Sequence, residues 1–210
     1  RSGVISSFWG MCFSTLTCFI MRKAELPRVI CYNSRSVAIL KPGNFPKLCE
    51  RQDVMFTGAE IVAVLKEMEI THVIWVPDSE MGKWEPELDA ASAQMVRVCR
   101  EGEAWPLAVG LTVAGSRPLV MMQTTGLFES GDALRHVVYD LEVPVYGLIG
   151  ARNWLKPEIQ DSAAAYAEPL MKAWGVDFIV IDQANQAQEL KAHYANCREA
   201  GIPGFALMAE

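Results

Sequence analysis

The segment from residue 72 to residue 126 reads HVIWVPDSEMGKWEPELDAASAQMVRVCREGEAWPLAVGLTVAGSRPLVMMQTTG, and it decides the fold class. Short apolar runs alternate in it with longer stretches of helical periodicity. The run HVIWV at 72–76 is stopped by Pro77 and is typical of a strand buried on both faces. Such alternation predicts a parallel sheet covered by helices.

The same alternation extends on both sides of that segment, from residue 55 to residue 210. Thr57 is a predicted helix N-cap, and Glu60 three residues later completes a capping box. The predicted helices cover about 57–68, 84–93, 102–114, 127–141, 161–174 and 184–199, and the predicted strands cover 72–76, 95–99, 119–123, 143–149, 177–181 and 205–208. We therefore expect an α/β fold, a three-layer sandwich with a mainly parallel six-stranded sheet.

Right-handed crossovers bring the carboxyl ends of all parallel strands to one edge of such a sheet. The loops 77–83, 100–102, 123–126 and 150–157 should therefore line a common rim. We expect any ligand to bind there.

The composition limits the classes of protein that need to be considered. With 210 residues, 51% hydrophobic and 21% charged, the chain can bury one sizeable core and is neither disordered nor of low complexity. The net charge of −6 and a pI of about 5.2 offer no broad cationic surface. We therefore expect no nucleic-acid partner and no membrane partner.

The average composition hides a break near residue 54. Residues 1–54 carry 8 Lys/Arg and 3 Asp/Glu, whereas residues 55–210 carry 11 and 22. Four of the six cysteines also lie in the first part: Cys12, Cys18, Cys31 and Cys49. The two remaining thiols, Cys99 and Cys197, favour a reducing compartment, so the predicted location is the cytoplasm.

Residues 1–54 are predicted to be an N-terminal extension and not a folded domain. The apolar run at 8–21 is followed by its positive charges, the reverse of a secretory signal, and is short for a transmembrane helix. Residues 24–54 show no sustained periodicity. We expect a dispensable extension or an over-extended reading frame with Met55 near the natural start; a targeting or anchoring segment is the alternative.

Several classes of active site are not indicated by the sequence from residue 55 onward. It has no GxxxxGK[ST], GxGxxG, HExxH, CxxC or GxSxG motif. The histidines at 72, 136 and 193 lack metal-like spacing, and structural or surface roles are expected for them. Cys99 lies beside Arg100, but no histidine in a neighbouring rim loop could act as its base.

Glu101 is the most informative residue of the rim, because it lies where a predicted strand gives way to a helix. One interpretation is that Glu101 and Glu103 only complement the helix dipole, for about 0.3 to 1 kcal/mol each. The other is that Glu101 belongs to a binding site. Spacing alone leaves both open.

The whole string CREGEAWPLAVGLTVAGSRPLVMMQTTGLFESGDAL, at 99–134, resembles the pyrimidine-binding (PYR) domain of thiamin-diphosphate enzymes. In that superfamily a strand ends in a glutamate, a small-residue helix follows with Gly nine positions later, and the next strand runs into a Thr-Ser-Gly-like turn. Glu101, Gly110 and Thr124-Thr125-Gly126 occupy those places. The resemblance implies a PYR-type domain over 55–210.

A closer likeness is to sulfopyruvate and phosphonopyruvate decarboxylases, through Val76-Pro77-Asp78-Ser79 and Gln123-Thr124-Thr125-Gly126-Leu127. It covers about residues 55–181. Family members often continue the fourth-strand loop as Arg-Gly with a downstream histidine, whereas this chain has Arg152-Asn153-Trp154-Leu155. The substrate is therefore left open among sulfonate, phosphonate and plain 2-oxo acids.

The diphosphate-binding half of such enzymes, the PP domain, carries a Gly-Asp-Gly motif that this sequence lacks. Gly131-Asp132-Ala133 is the nearest string, inside a predicted helix. The resemblance implies an α-type subunit that shares thiamin diphosphate with a separate PP (β) subunit, with Mg²⁺ bound by that subunit and no metal on this chain. The predicted assembly is a hetero-oligomer, and the predicted activity is that of a carbon–carbon lyase with a small 2-oxo acid substrate.

The resemblance also implies roles for individual residues. Glu101 would hydrogen-bond ring nitrogen N1′ of the aminopyrimidine, with a proton on its carboxyl group. Near the cofactor we expect Pro77, Gly102, Gln123, Thr124 and Thr125, and near the substrate Asp78, Ser79 and Arg152, the last as an anchor for an anionic tail. The alternatives are a non-catalytic scaffold or regulatory subunit with this fold, a thiamin-diphosphate carboligase subunit, or an α/β protein that binds another small anion.

Overall fold

The computed structural model describes the backbone of residues 10–13, 16–21, 28–33 and 36–40, and backbone and side chains of residues 56–78 and 80–210. The chain divides into two compact units, Arg1–Asp53 and Val54–Glu210. This boundary coincides with the change in charge and cysteine content near residue 54. Ser79, one of the predicted substrate-proximal residues, lies outside the described residues.

The first unit contains a four-stranded antiparallel sheet of β1 (Gly10–Phe13), β2 (Leu16–Met21), β3 (Arg28–Asn33) and β4 (Ser36–Leu40), in that spatial order. The periodicity of the sequence did not predict these strands. Their residues are rich in Val, Ile, Phe and Thr, which favour strands without strict alternation when neighbours pair as hairpins. That the segment is dispensable stays a prediction.

The second unit begins with α1 (Gly58–Glu67), β5 (His72–Trp75), a 3₁₀ turn (Met81–Trp84), α2 (Glu85–Asp89), β6 (Gln94–Arg97), α3 (Glu101–Val113) and β7 (Pro118–Gln123). The capping box predicted for α1 is confirmed: the Glu60 amide donates to the Thr57 hydroxyl at 3.2 Å and the Thr57 amide donates to the Glu60 carboxylate at 2.8 Å. The predicted helix 84–93 is shorter than expected.

The second half comprises α4 (Thr124–Glu129), α5 (Gly131–Arg135), a π-helical turn (His136–Asp140), β8 (Tyr146–Ala151), α6 (Ser162–Ala173), β9 (Asp177–Ile181), a 3₁₀ turn (Ala184–Gln186), α7 (Ala187–Ala200) and β10 (Gly204–Ala209). The single helix predicted for 127–141 is wrong, because the chain breaks it at Ser130. The strand predicted from 143 begins three residues later, after Pro144, which has no amide hydrogen to donate.

The six strands of this unit form one all-parallel sheet in the order β6-β5-β7-β8-β10-β9. Alternate residues of β5 face opposite layers: Val73 and Trp75 pack with α1, α2 and α7, while Ile74 packs with α3, α5 and α6. The predicted three-layer α/β sandwich is therefore confirmed, and the sheet is entirely parallel.

The strand order reverses direction at β5, since β6 lies on one side of it and β7 on the other. In open α/β sheets, such a reversal leaves a crevice at the carboxyl ends of the two central strands. The loop after β5 and the start of α4 flank that crevice. Within the described part of the chain, none of the helices combines the length and the apolar character needed to cross a bilayer.

Candidate functional site

Glu101 is the first residue of α3 and follows the extended Arg100. Its half-buried side chain lies directly against Gly126 in α4: a Cβ atom at position 126 would be 2.4 Å from Glu101 Cγ and 2.6 Å from Oε1. Only glycine allows this approach. Among the described residues, no hydrogen-bond donor is paired with the Glu101 carboxylate, so this carboxyl group is free to bind a ligand.

Two other glutamates bind backbone amides around the start of α3. Glu103 accepts a hydrogen bond from the Cys99 amide at 3.1 Å, and Glu129 accepts one from the Gly102 amide at 3.3 Å. Glu129 also forms an ion pair with Arg100, and this hydrogen-bonded guanidinium lowers the pKa of the Glu129 carboxyl. Of these two amides only that of Gly102 belongs to α3, because Cys99 precedes the helix. Glu101 and Glu103 both lie in the first turn, where a carboxylate complements the helix dipole.

A second group of polar side chains occupies the switch-point crevice. Asp78 Oδ1 accepts hydrogen bonds from the amides of Glu80 and Met81, both at 2.8 Å, while its Oδ2 is buried with no hydrogen-bond partner among the described residues. Gln123 Nε2 donates to Glu210 Oε2 at 3.3 Å. Glu210 Oε1 is also buried without a described partner.

Burial raises the pKa values of two carboxyl groups in the crevice. Removal from water raises the pKa of Asp78, against the effect of its backbone hydrogen bonds. It also raises the pKa of Glu210 to about 8, and the nearby charge of Asp78 adds to that increase. The crevice therefore holds a carboxyl group that stays protonated near neutral pH, beside two oxygens available to a ligand.

The remaining rim residues differ in how accessible they are. Thr124 is fully buried, and its Oγ1 has no hydrogen-bond partner in the described part of the chain. Thr125 is exposed and donates to Gln123 Oε1 at 3.4 Å, and Pro77 is exposed after β5. Around Gly102 the space is open, since a Cβ there would meet only Glu129 Oε2 at 3.7 Å.

Arg152 is already paired within the structure. Its Nε lies 3.0 Å from Asp161 Oδ2, although the orientation does not make a hydrogen bond. Asp161 also accepts from Asn153 Nδ2 at 2.6 Å and caps α6 through the Ala163 amide at 2.9 Å. A substrate anion would have to compete with Asp161 for Arg152, so the role of substrate anchor stays a prediction.

Histidine and cysteine do not complete the rim. His72 contacts Thr71 at the amino end of β5, and His136 contacts Asp140 after α5. His193 lies on α7, and Cys99 is an exposed free thiol. The geometry thus offers a carboxyl-based site.

The structure brings two unpredicted residues to the rim, Glu129 and Glu210. Glu129 is the last residue of α4, which begins with Thr124-Thr125-Gly126, so the turn predicted for these three residues is a helix start. A charged residue at a helix end is usually solvated, and Glu129 therefore gave no sequence signal. Glu210 follows the six-residue apolar strand β10, and a carboxylate at the carboxyl end of a buried parallel strand is a signal that could have been used.

The described residues fit the aminopyrimidine half of thiamin diphosphate better than its diphosphate half. Glu101 offers a free carboxyl group, Gly102 leaves room for a flat ring, and Thr124 has an unsatisfied hydroxyl. The string most similar to the Gly-Asp-Gly motif, Gly131-Asp132-Ala133, lies at the start of α5. Its Asp132 forms an ion pair with Arg135, with 3.0 Å between Oδ1 and Nε. A search against protein-family models finds no match to the chain, and no curated protein matches it either.

Proposed function

We propose that residues 55–210 form the pyrimidine-binding subunit of a thiamin-diphosphate-dependent 2-oxo acid decarboxylase of the sulfopyruvate/phosphonopyruvate type. The observation that carries the proposal is the carboxyl group of Glu101, which lies against Gly126 just beyond the end of β6 and has no hydrogen-bond donor among the described residues.

In this proposal the Glu101 carboxyl group forms a hydrogen bond with ring nitrogen N1′ of the cofactor. Gly126 keeps the side chain in place, and Gly102 leaves the ring access to it. Bound thiamin diphosphate supplies the electron sink that decarboxylation of a 2-oxo acid requires. Thr124, Thr125 and Pro77 border the same loop edge and would exclude water from the ring.

The crevice group would act on the substrate side. Asp78 and Glu210 have raised pKa values, so one of the two can keep a proton near neutral pH and release it to a substrate carbon or oxygen. Gln123 orients Glu210 through its hydrogen bond. Arg152 would bind an anionic substrate tail only if its ion pair with Asp161 weakens.

The missing half-site must come from another polypeptide in this proposal. Nothing in the described residues resembles the diphosphate and Mg²⁺ ligands, so we assign these to a PP subunit with a Gly-Asp-Gly motif. One face of α3 suits a partner: Pro106, Gly110 and Val113 recur at helical spacing, and the side chain of Val113 is 79% exposed. A carboligase subunit would use the same site.

The test pairs the chain with a candidate PP subunit that carries a Gly-Asp-Gly motif and measures CO₂ release from sulfopyruvate, phosphonopyruvate and pyruvate. We expect turnover that requires thiamin diphosphate and Mg²⁺. In Glu101→Gln, turnover should fall at least about 10²-fold, the usual scale for a proton-transfer group. Glu103→Gln is the matched control, because it makes the same charge change two residues away on an exposed side chain.

Near-normal turnover in Glu101→Gln would overturn the role of this residue. Tight binding of thiamin diphosphate by the isolated chain would contradict the shared site. An assembly that forms but never releases CO₂ from these acids would favour the scaffold alternative.

A further inference from the structure

Three potential metal ligands converge at the edge of the sheet opposite the rim. Asp177 is the first residue of β9, and His193 and Cys197 are four positions apart on α7, which puts them on one face of that helix. One ligand atom from each of the three lies within 4.8 Å of the other two. This edge takes no part in the proposed thiamin site.

The distances among these atoms match a tetrahedral ion. Cys197 Sγ is 3.7 Å from both His193 Nε2 and Asp177 Oδ2, and His193 Nε2 is 3.6 Å from Asp177 Oδ2. Zinc bonds of about 2.3 Å to sulfur and about 2.0–2.2 Å to nitrogen and oxygen, at the tetrahedral angle, separate ligand atoms by about 3.3–3.6 Å. The triangle needs to contract only slightly to hold an ion.

The orientation of the imidazole distinguishes this cluster from a nucleophile–histidine–carboxylate relay. In a relay, one ring nitrogen faces the thiol and the other faces the carboxylate. Here Nε2 is the ring nitrogen nearer to the thiol, at 3.7 Å from Cys197 Sγ against 4.0 Å for Nδ1, and the same Nε2 lies 3.6 Å from Asp177 Oδ2. The thiol and the carboxylate are therefore not on opposite nitrogens of the ring.

The other nitrogen of the ring has the partner that a metal-binding histidine needs. His193 Nδ1 lies 2.6 Å from the hydroxyl oxygen of Tyr146, whose ring packs edge-on against Tyr194 at 5.1 Å between centroids. With the Nδ1 hydrogen donated to Tyr146, Nε2 presents its lone pair to an ion. Such outer contacts fix the tautomer and the ring orientation of ligating histidines.

Burial leaves one side of the cluster open to water. Cys197 is 2% exposed, and a Cβ atom at Gly204 would be only 2.5 Å from its sulfur, so β10 closes that side. The side chain of His193 is 13% exposed and that of Asp177 55%. An ion there would have three protein ligands and one position for water.

We propose that Asp177, His193 and Cys197 form a binding site for a tetrahedral divalent cation of the zinc class, oriented by Tyr146. Sulfur, imidazole and carboxylate together favour Zn²⁺ over Mg²⁺ or Ca²⁺, which take oxygen ligands. The ion would tie α7 to the start of β9. Histidine spacing alone could not reveal the site, because one histidine combines with a thiol and a carboxylate from another element.

The experiment is a titration of the full chain with Co²⁺, which reports thiolate ligation by a near-ultraviolet charge-transfer band and tetrahedral geometry by intense visible bands. The parent variant carries serine at Cys12, Cys18, Cys31 and Cys49, so only Cys99 and Cys197 remain as thiols. We expect one Co²⁺ per chain, displaced by Zn²⁺. Cys197→Ser should abolish the charge-transfer band, and the matched control Cys99→Ser should keep it.

Asp177→Asn and Tyr146→Phe extend the test to the other contacts. Affinity for Co²⁺ should fall by about 10- to 100-fold in Tyr146→Phe, the usual effect of losing an outer contact, and at least as much in Asp177→Asn. Asp177 is largely exposed, so this variant remains informative if Cys197→Ser does not fold. Absence of the band in the parent, or a band and an affinity that neither Cys197→Ser nor Asp177→Asn changes, would overturn the site.

Discussion

Replacing Glu210 with glutamine should make the protein's stability less sensitive to pH. The pKa of the Glu210 carboxyl rises from an ordinary 4.5 to about 8 in the fold, mainly through burial. The folded state therefore holds a proton that the unfolded state has already lost between these two values. The free energy of unfolding should consequently fall as the pH rises through this window, by as much as about 1.4 kcal/mol per pH unit.

Over the whole window this effect amounts to as much as about 5 kcal/mol, and Glu210→Gln removes it because glutamine does not ionise. The assay is urea unfolding followed by the fluorescence of the buried Trp75, Trp84 and Trp105, at intervals from about pH 5 to pH 8. We expect the stability of the variant, relative to the parent, to increase steadily with pH. Glu199→Gln, an exposed glutamate on α7, should show no such trend. A constant difference between Glu210→Gln and the parent across this range would refute the reasoning.

Two further predictions concern packing around the candidate site. In Gly126→Ala the new methyl group would be 2.4 Å from Glu101 Cγ, so the Glu101 side chain must shift. Overpacking costs about 1–3 kcal/mol and the gain in helix propensity returns about 1 kcal/mol, so the free energy of unfolding should fall by up to about 2 kcal/mol. Adding Glu101→Ala should restore most of that loss, and strictly additive effects in the double-mutant cycle would contradict the contact. Ser130→Ala should cost about 1–3 kcal/mol, because it removes the acceptor, 2.8 Å away, of the buried Trp105 indole N–H. The same urea titration measures the free energy of unfolding of this variant, with the exposed Ser162→Ala as control. An unchanged midpoint in Ser130→Ala would show that the hydrogen bond does not stabilise the fold.

Local sequence determined most elements of the second unit because their signals are local. Thr57 and Glu60 define the start of α1 by reciprocal hydrogen bonds within one turn. The run around Val73 indicates a strand because it is short, apolar at every position and stopped by Pro77, as expected for a strand covered on both faces. The single helix predicted across Ser130 was wrong, because the chain forms two helices that meet at Ser130 and Gly131. Periodicity also did not show that the Ser130 hydroxyl accepts a hydrogen bond from Trp105, 25 residues away.

In the candidate site, too, some residues could be predicted from the sequence, whereas their contacts became known only from the structure. Glu101 and Gly126 could be named from the sequence, since each follows a predicted strand and parallel strands end at one edge. That Glu129 would bind the Gly102 amide, while Glu101 makes no hydrogen bond with a described residue, depends on which side chains reach the start of α3. Arg152 shows the converse, because its pairing with Asp161 was not visible in the spacing of the chain.

By itself, the sequence determined the α/β class, the six strands and the loops that form the rim, because periodicity, capping and strand ends act over a few residues. Only the tertiary structure decided the strand order, the electrostatic effect of Asp78 on Glu210, and the convergence of Asp177, His193 and Cys197. Residues from distant segments come together only when the helices and the sheet pack as layers. The same packing buries ionisable side chains, and this burial shifts their pKa values.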